Sequence, residues 1–141
     1  MSKPYFLDTN ILVYSFSSHE PEKQARAQEL ISDALVHRKG VISYQVVQEF
    51  LNVALKRFPT PLTVNEARNY YLKVLKPLCA IDSSPLLTLR ALTVQEETQF
   101  QWYDSLVIAS SLESGCRVLY SEDLQDGRVV DSVEIQNPFL G

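Results

Sequence analysis

Short apolar runs alternate along the chain with longer segments whose apolar residues recur every three or four positions. The first pattern belongs to strands and the second to amphipathic helices. Pro4 to Leu7 reads as a first strand that stops at the polar triplet Asp8-Thr9-Asn10. From Glu22 to His37, the residues Ala27, Leu30, Ile31, Ala34 and Leu35 fall on one face of a helix, which Gly40 is expected to end. Val41-Ile42-Ser43 reads as a second strand, and Tyr44 to Arg57 as the helix after it. The prolines of Phe58-Pro59-Thr60-Pro61 cannot continue a helix and mark a loop, not a domain boundary. Thr63 to Leu75 is again helical, opened by Thr63 and Glu66 at capping-box spacing. Cys79-Ala80-Ile81 reads as a third strand, and Ser84-Pro85 starts a helix with a cap and a proline at its first position. Asp104 to Glu113 is a helix stopped by Gly115, Arg117 to Tyr120 is a fourth strand, and Val133 to Gln136 is a fifth, expected at an edge.

This alternation predicts an α/β fold: a three-layer α/β/α sandwich with a mostly parallel sheet of about five strands, in one domain over residues 1–141. In such sheets the ligand crevice lies beyond the carboxyl ends of the strands. Composition agrees with a folded domain. Hydrophobic residues make up 45% of the 141 and charged residues 21%, which excludes a disordered chain, a collagen-like fibre and a disulfide framework. The two cysteines, Cys79 and Cys116, lack CxxC spacing and read as small buried hydrophobes in a reducing compartment, so a cytoplasmic location is expected. No apolar run approaches the ~20 residues of a spanning helix, and no membrane association is expected. The net charge of −4 argues against broad electrostatic binding to a polyanion. A cluster of metal-binding carboxylates would itself lower the charge, so the distribution of the acids decides the matter.

Five acids stand in awkward places. Asp8 follows Tyr5-Phe6-Leu7 directly, at the carboxyl end of the first strand, where it reads either as a helix cap or as a crevice acid. Glu49 lies in an otherwise apolar helix whose narrow polar stripe is Gln45, Gln48, Glu49, Asn52 and Lys56; the stripe suits a solvated face or a site that orients ligands. Asp104 shares a helical line with Ile108 and Leu112, where a carboxylate is costly unless capped, paired or metal-bound; its place in a first turn also suits the helix dipole. Asp123 and Asp126 follow the fourth strand, as members of a polar turn or of the same crevice. Converging carboxylates repel one another and raise each other's pKa values, and a hard divalent cation removes that conflict. Mg²⁺ or Mn²⁺ on oxygen ligands with open water positions suits phosphodiester hydrolysis.

In this order and register the residues resemble the PIN-domain ribonucleases, most closely the VapC-type toxins of toxin–antitoxin pairs. Phe6-Leu7-Asp8-Thr9-Asn10-Ile11-Leu12-Val13-Tyr14 is similar to the family's first motif, and Ile42 to Phe50, with Glu49 at the acid position, to its second. Asp104 with Ile108-Ala109 is similar to the third. Leu119 to Gly127 is similar to the fourth, with Ser121 and Asp123 at the hydroxyl and acid positions and Asp126 as an accessory. The resemblance spans essentially the whole chain. It implies a five-stranded parallel sheet flanked by helices and Mg²⁺- or Mn²⁺-dependent cleavage of RNA that leaves a 5′-phosphate. It further implies that Asp8, Glu49, Asp104 and Asp123 hold the metal and act in catalysis, while Thr9, Asn10 and Ser121 hydrogen-bond the carboxylates and waters. An antitoxin protein and a homodimer are the implied partners, with Tyr70, Tyr71 and Leu72 as a candidate apolar surface. Lys3, Lys56, Arg57, Arg90 and Arg117 are the candidate bases for gripping RNA.

Rival readings fit less of the chain. A haloacid-dehalogenase-type phosphatase needs a second acid where Asn10 stands, a phosphoacceptor receiver needs a lysine absent from Arg117 to Gly127, and no GxSxG supports a Ser-His-Asp hydrolase. His19 and His37 read as solvated. The alternative of another class is a catalytically inactive PIN-fold module that binds protein partners, which would have no need of four mutually repelling acids.

Overall fold

The computed structural model describes residues 4–140. Its elements run β1 (Tyr5–Leu7), α1 (Thr9–Tyr14), α2 (Pro21–His37), β2 (Gly40–Ser43), α3 (Tyr44–Lys56) and α4 (Val64–Tyr70). A π-turn (Tyr71–Leu75) leads into α5 (Lys76–Leu78), followed by β3 (Cys79–Ile81), α6 (Pro85–Thr98), α7 (Trp102–Glu113), β4 (Val118–Tyr120), β5 (Val129–Val130) and β6 (Val133–Gln136). Among the described residues no helix is long and apolar enough to cross a membrane.

The strands form one six-stranded sheet in the order β3-β2-β1-β4-β6-β5, parallel throughout except for the β5–β6 pair. From β1 the chain steps outward through β2 to β3, then returns across the sheet to place β4 on the other side of β1. Right-handed crossovers put α1–α5 on one face and α6–α7 on the other. The reversal between β1 and β4 is the topological switch point, where the loops leave in opposite directions and open a crevice. Phe6, Leu7, Ile42, Leu119 and Ile135 of the strands are fully buried, as are Ile11, Leu12, Val46, Phe50 and Ile108 of the helices. Burying one such side chain contributes roughly 1.5–3 kcal/mol, so the core fixes the strand ends that carry the polar residues.

The α/β sandwich expected from the alternation is present, with three differences of detail. Val133–Gln136 is an inner strand: it pairs parallel with β4 on one side, and Val129–Val130 takes the edge. The hairpin between them turns through Asp131 and Ser132, with Asp131 at φ 51, a left-handed conformation that a sequence without Asn or Gly there does not advertise. The helix from Thr63 has its capping box, yet it widens into the π-turn, where the Lys76 N–H reaches Tyr71 O. Pro77 follows at once; its ring would clash with a carbonyl in a regular α-turn, and the wider turn relieves this.

Gly40 does not end α2. Arg38 does, at φ 54, and Gly40 opens β2. The reason is space: a Cβ at Gly40 would lie 2.4 Å from Ala34 Cβ and 2.7 Å from Tyr5 Cε1. Tyr5 is itself held there, its hydroxyl donating to Leu30 O at 3.1 Å and to Asp33 Oδ2 at 2.7 Å, which pins α2 to β1. A Gly40→Ala substitution is therefore expected to destabilise the fold by about 1–3 kcal/mol, the usual cost of overpacking. Urea unfolding of the variant checks this; an unchanged midpoint would refute the close approach.

Candidate active site

The carboxyl ends of β1 and β4 carry the first polar contacts. The Asp8 N–H donates to Tyr120 O at 3.0 Å and the Ser121 N–H to Gln136 O at 3.0 Å, so both residues extend their strands by one sheet bond. That pairing sets Asp8 and Ser121 side by side, and Ser121 Oγ donates to Asp8 Oδ2 at 2.7 Å. The other oxygen, Asp8 Oδ1, accepts the Thr9 N–H at 2.7 Å and caps α1. Cap and crevice acid, alternatives on sequence alone, are the same carboxylate here. Asp8 is 9% exposed.

The next acid is brought in by α3, which leaves β2 without a loop because Ser43 caps it through the Val46 N–H. Glu49 faces the crevice on the second turn, where Thr9 Oγ1 donates to its Oε1 at 2.9 Å and Gln45 Nε2 at 3.3 Å. The same Gln45 amide donates to Tyr103 O at 3.2 Å, joining the start of α3 to the first turn of α7. Asp104 is the next residue of that turn, half-buried, with no hydrogen-bond or cationic partner for its carboxylate among the described residues. Asp123 is exposed in the loop after β4 and accepts a hydrogen bond from Asn10 Nδ2 at 3.0 Å.

Electrostatics ties the four together. Burial raises the Asp8 pKa, hydrogen bonds from Ser121 and Thr9 pull it back, and the charges of Glu49 and Asp123 add to the rise; the group stands at about 6. Asp104 is also raised, first by burial and then by the charge of Asp123. The ion pairs among the described residues lie elsewhere, at Lys23 with Glu20 and Glu122, Arg26–Glu29, His37–Asp33 and Arg90–Glu113. As the side chains stand, no three His, Cys, Asp or Glu groups among the described residues lie close enough together to hold a metal ion. The donor set nevertheless fits a hard cation in kind. It is all oxygen, it lacks a lysine or arginine partner, and its central member is buried at a cost that positive charge would remove.

Of the supporting residues expected from sequence, Thr9, Asn10 and Ser121 each donate to one of the acids. Asp126 does not join them: its Oδ1 accepts the Asn137 N–H at 2.7 Å and anchors the far end of the loop. Gln48, Asn52 and Lys56 of the polar stripe are exposed. His19 is exposed, and His37 pairs with Asp33. Among the candidate bases, Lys3 lies outside the described residues, Arg90 is paired with Glu113, and Arg117 stands at the amino end of β4, opposite the acids. Tyr70 is spent in an aromatic cluster with Phe16 and Phe50, which leaves Tyr71 and Leu72 exposed. Sequence reasoning missed Tyr14, Lys23 and Glu122. Burial alone would raise the Glu122 carboxyl, but hydrogen bonds from Lys23 and Tyr14 outweigh it and hold the group below its ordinary value. Only Tyr14 carried a signal, its place one helical turn after Asn10.

The family model described as PIN domain matches residues 5–129, a span that includes all four acids. A toxin–antitoxin complex from Klebsiella pneumoniae superposes with a TM-score of 0.69 at 18% identity, covering 95% of this chain and 97% of that one. VapBC2 from Rickettsia felis, bound to a DNA fragment from its promoter, gives 0.63 at 16% identity over 94% and 97%. VapC20 from Mycobacterium tuberculosis, a sarcin–ricin loop cleaving toxin, gives 0.59 at 16% identity over 84% and 89%. These likenesses carry the fold. Among curated proteins no match is found.

The Asp8 shift has a stability consequence with a definite sign. Between its ordinary 3.8 and about 6 the folded chain binds more protons than the unfolded chain, so stability falls as pH rises through that window. Above it, the ionised carboxylate is a constant burden of about 3 kcal/mol at most. Asparagine keeps both contacts, its carbonyl facing Thr9 N–H and its amide donating to Ser121 Oγ. Without divalent metal, Asp8→Asn should therefore exceed the wild type by about 1–3 kcal/mol at pH 8 and match it near pH 4. Urea unfolding in chelator measures both; equal stability at pH 8 would show that the carboxylate is not strained.

Proposed function

We propose that this chain, which belongs to the PIN domain family, is a Mg²⁺- or Mn²⁺-dependent endoribonuclease and the toxin of a VapBC-type toxin–antitoxin pair. The observation that carries the reading is the buried Asp8 at the switch point of the sheet, which feels the charges of Glu49 and Asp123, while Asp104 feels that of Asp123; among the described residues none of the four is in an ion pair. A binding surface gains nothing from such repulsion, whereas a metal-assisted hydrolase needs the carboxylates as ligands and its cation offsets the repulsion. VapC20, similar in fold, is named as a toxin that cleaves the sarcin–ricin loop, which supports RNA as the substrate. The Klebsiella and Rickettsia structures are toxin–antitoxin assemblies, which supports an antitoxin partner.

Asp8, Glu49 and Asp104 would hold the ion, with Asp123 completing the set from the exposed side. When bound, the ion polarises a phosphoryl oxygen and supplies hydroxide at neutral pH. The chain's own work is preparation. Asp8 must give up its proton, and a pKa of about 6 leaves it mostly ionised at pH 7 and above. Ser121 and Thr9 fix the Asp8 carboxylate through one oxygen each, and Thr9 Oγ1 fixes Glu49 at the same time. Gln45 ties Glu49 to the backbone of the first turn of α7, the turn that carries Asp104. An antitoxin would also find an apolar cavity of about 530 Å³ on the α1–α2 side, lined by Phe16, Ile31, Leu35, Val36 and Tyr70. A second copy would meet Tyr71 and Leu72.

Cleavage of total cellular RNA by the purified chain tests the reading. Discrete fragments are expected with Mg²⁺ or Mn²⁺, none with EDTA, and a loss of at least about 100-fold in rate for Asp104→Asn, the scale of losing a directly bound ligand or its support. Folded, antitoxin-free chain that cleaves nothing with either metal would favour the inactive binding module.

A further inference from the structure

Glu122 stands between Ser121 and Asp123, yet no role above uses it. Its carboxylate accepts the Tyr14 hydroxyl at 2.5 Å on Oε1 and Lys23 Nζ at 2.6 Å on Oε2. Lys23 is fixed in turn: its Nζ lies 4.7 Å from the Tyr14 ring centroid and 5.7 Å from that of Phe139, two rings that meet edge to face at 5.1 Å. On the backbone side, the Glu122 N–H donates to Asn10 Oδ1 at 3.4 Å, while Asn10 Nδ2 donates to Asp123 Oδ2. One amide thus bridges Glu122 and Asp123, and the side chain one turn later on the same helix, Tyr14, grips Glu122 from the other side.

We propose that Lys23 and Tyr14 are positioning residues of the site: acting through Glu122, they hold the Ser121–Asp123 segment so that the Asp123 carboxylate stays at the crevice beside Asp8. The proposal rests on the metal reading above and extends it to residues remote in sequence. The physical need is clear from the charges. Asp123 is exposed, has one side-chain hydrogen bond, and raises the pKa of both Asp8 and Asp104, so like-charge repulsion drives it outward into water. The far end of its loop is tied by Asp126 to the Asn137 N–H and by the Gly127 N–H to Ile135 O at 2.8 Å. Residues 122–123 are held through side chains instead, by Asn10 on one side and by Tyr14 and Lys23 on the other. Lys23 also cancels the charge of Glu122, which would otherwise be a fifth uncompensated acid next to the four.

Calorimetric titration with Mn²⁺ alone, without RNA, separates the roles. Lys23→Met keeps a stem of similar length against the two rings and removes the charge; Lys23→Arg keeps the charge. The expected result is Mn²⁺ binding about tenfold or more weaker in Lys23→Met and weaker in Tyr14→Phe, with Lys23→Arg within about threefold of the wild type and all variants folded by circular dichroism. Wild-type affinity in Lys23→Met would overturn the proposal, as would an Arg variant as weak as the Met one. A wild-type chain that takes up no Mn²⁺ would overturn both this proposal and the metal reading, while wild-type uptake unchanged in the variants overturns this proposal alone.

Discussion

A carboxylate buried at the end of a central parallel strand, with no cation among the described residues to answer it, is the constraint around which the rest of this molecule is arranged. Asp8 is placed by the sheet and not by a flexible loop: its N–H continues the β1–β4 ladder, and both its oxygens are engaged. Those two bonds keep a buried carboxylate tolerable, since an unbonded one would cost several kcal/mol more. They do not make it favourable at neutral pH. Its pKa of about 6 records the residual conflict between burial, neighbouring acids and fixed geometry.

The other acids follow from the same topology. Because β4 returns to the opposite side of β1, the loops after both strands open into one crevice, and Asp123 arrives on the second of them. Ser43 starts α3 directly off β2, which aims Glu49 at Thr9. The Gln45 bond to Tyr103 O then fixes the first turn of α7, and with it Asp104. Asp8 follows a buried strand, and Glu49 and Asp104 sit on helices that bury Val46, Phe50, Val107 and Ile108 in the core. The stability lost at the crevice is therefore offset elsewhere, as is usual for functional sites.

Much of this was legible in the chain because it follows local rules. The strand ends at Leu7 and Tyr120, the cap at Thr63, the proline at the start of α6 and the helical line through Asp104 all have signatures within a few residues. The polar residues found there are the ones the crevice gathers. What stayed hidden depends on contacts across the fold. Gly40 reads as a helix stop until Tyr5 and Ala34 are seen pressing on it. Val133–Gln136 reads as an edge because its partner is two residues long and its turn relies on an Asp at positive φ. Lys23 and Glu122 are 99 positions apart, and no period or spacing connects them. Asp126 illustrates the converse: its position in a motif was plain, but its hydrogen bond to Asn137 is a tertiary fact.

The net charge of −4 also finds its place, since among the described residues no ion pair joins a base to the four acids, and Lys23, which meets the same loop, is neutralised there by Glu122. Positive potential at the acids would then come from the bound ion itself. Calorimetric titration of Mn²⁺ at pH 6 and pH 8, in buffers of different ionisation enthalpy, tests that claim most directly. With the Asp8 pKa raised to about 6 and that of Asp104 also raised, uptake of an ion should release more protons at pH 6 than at pH 8. Binding without proton release at pH 6, or no binding at either pH, would contradict the account.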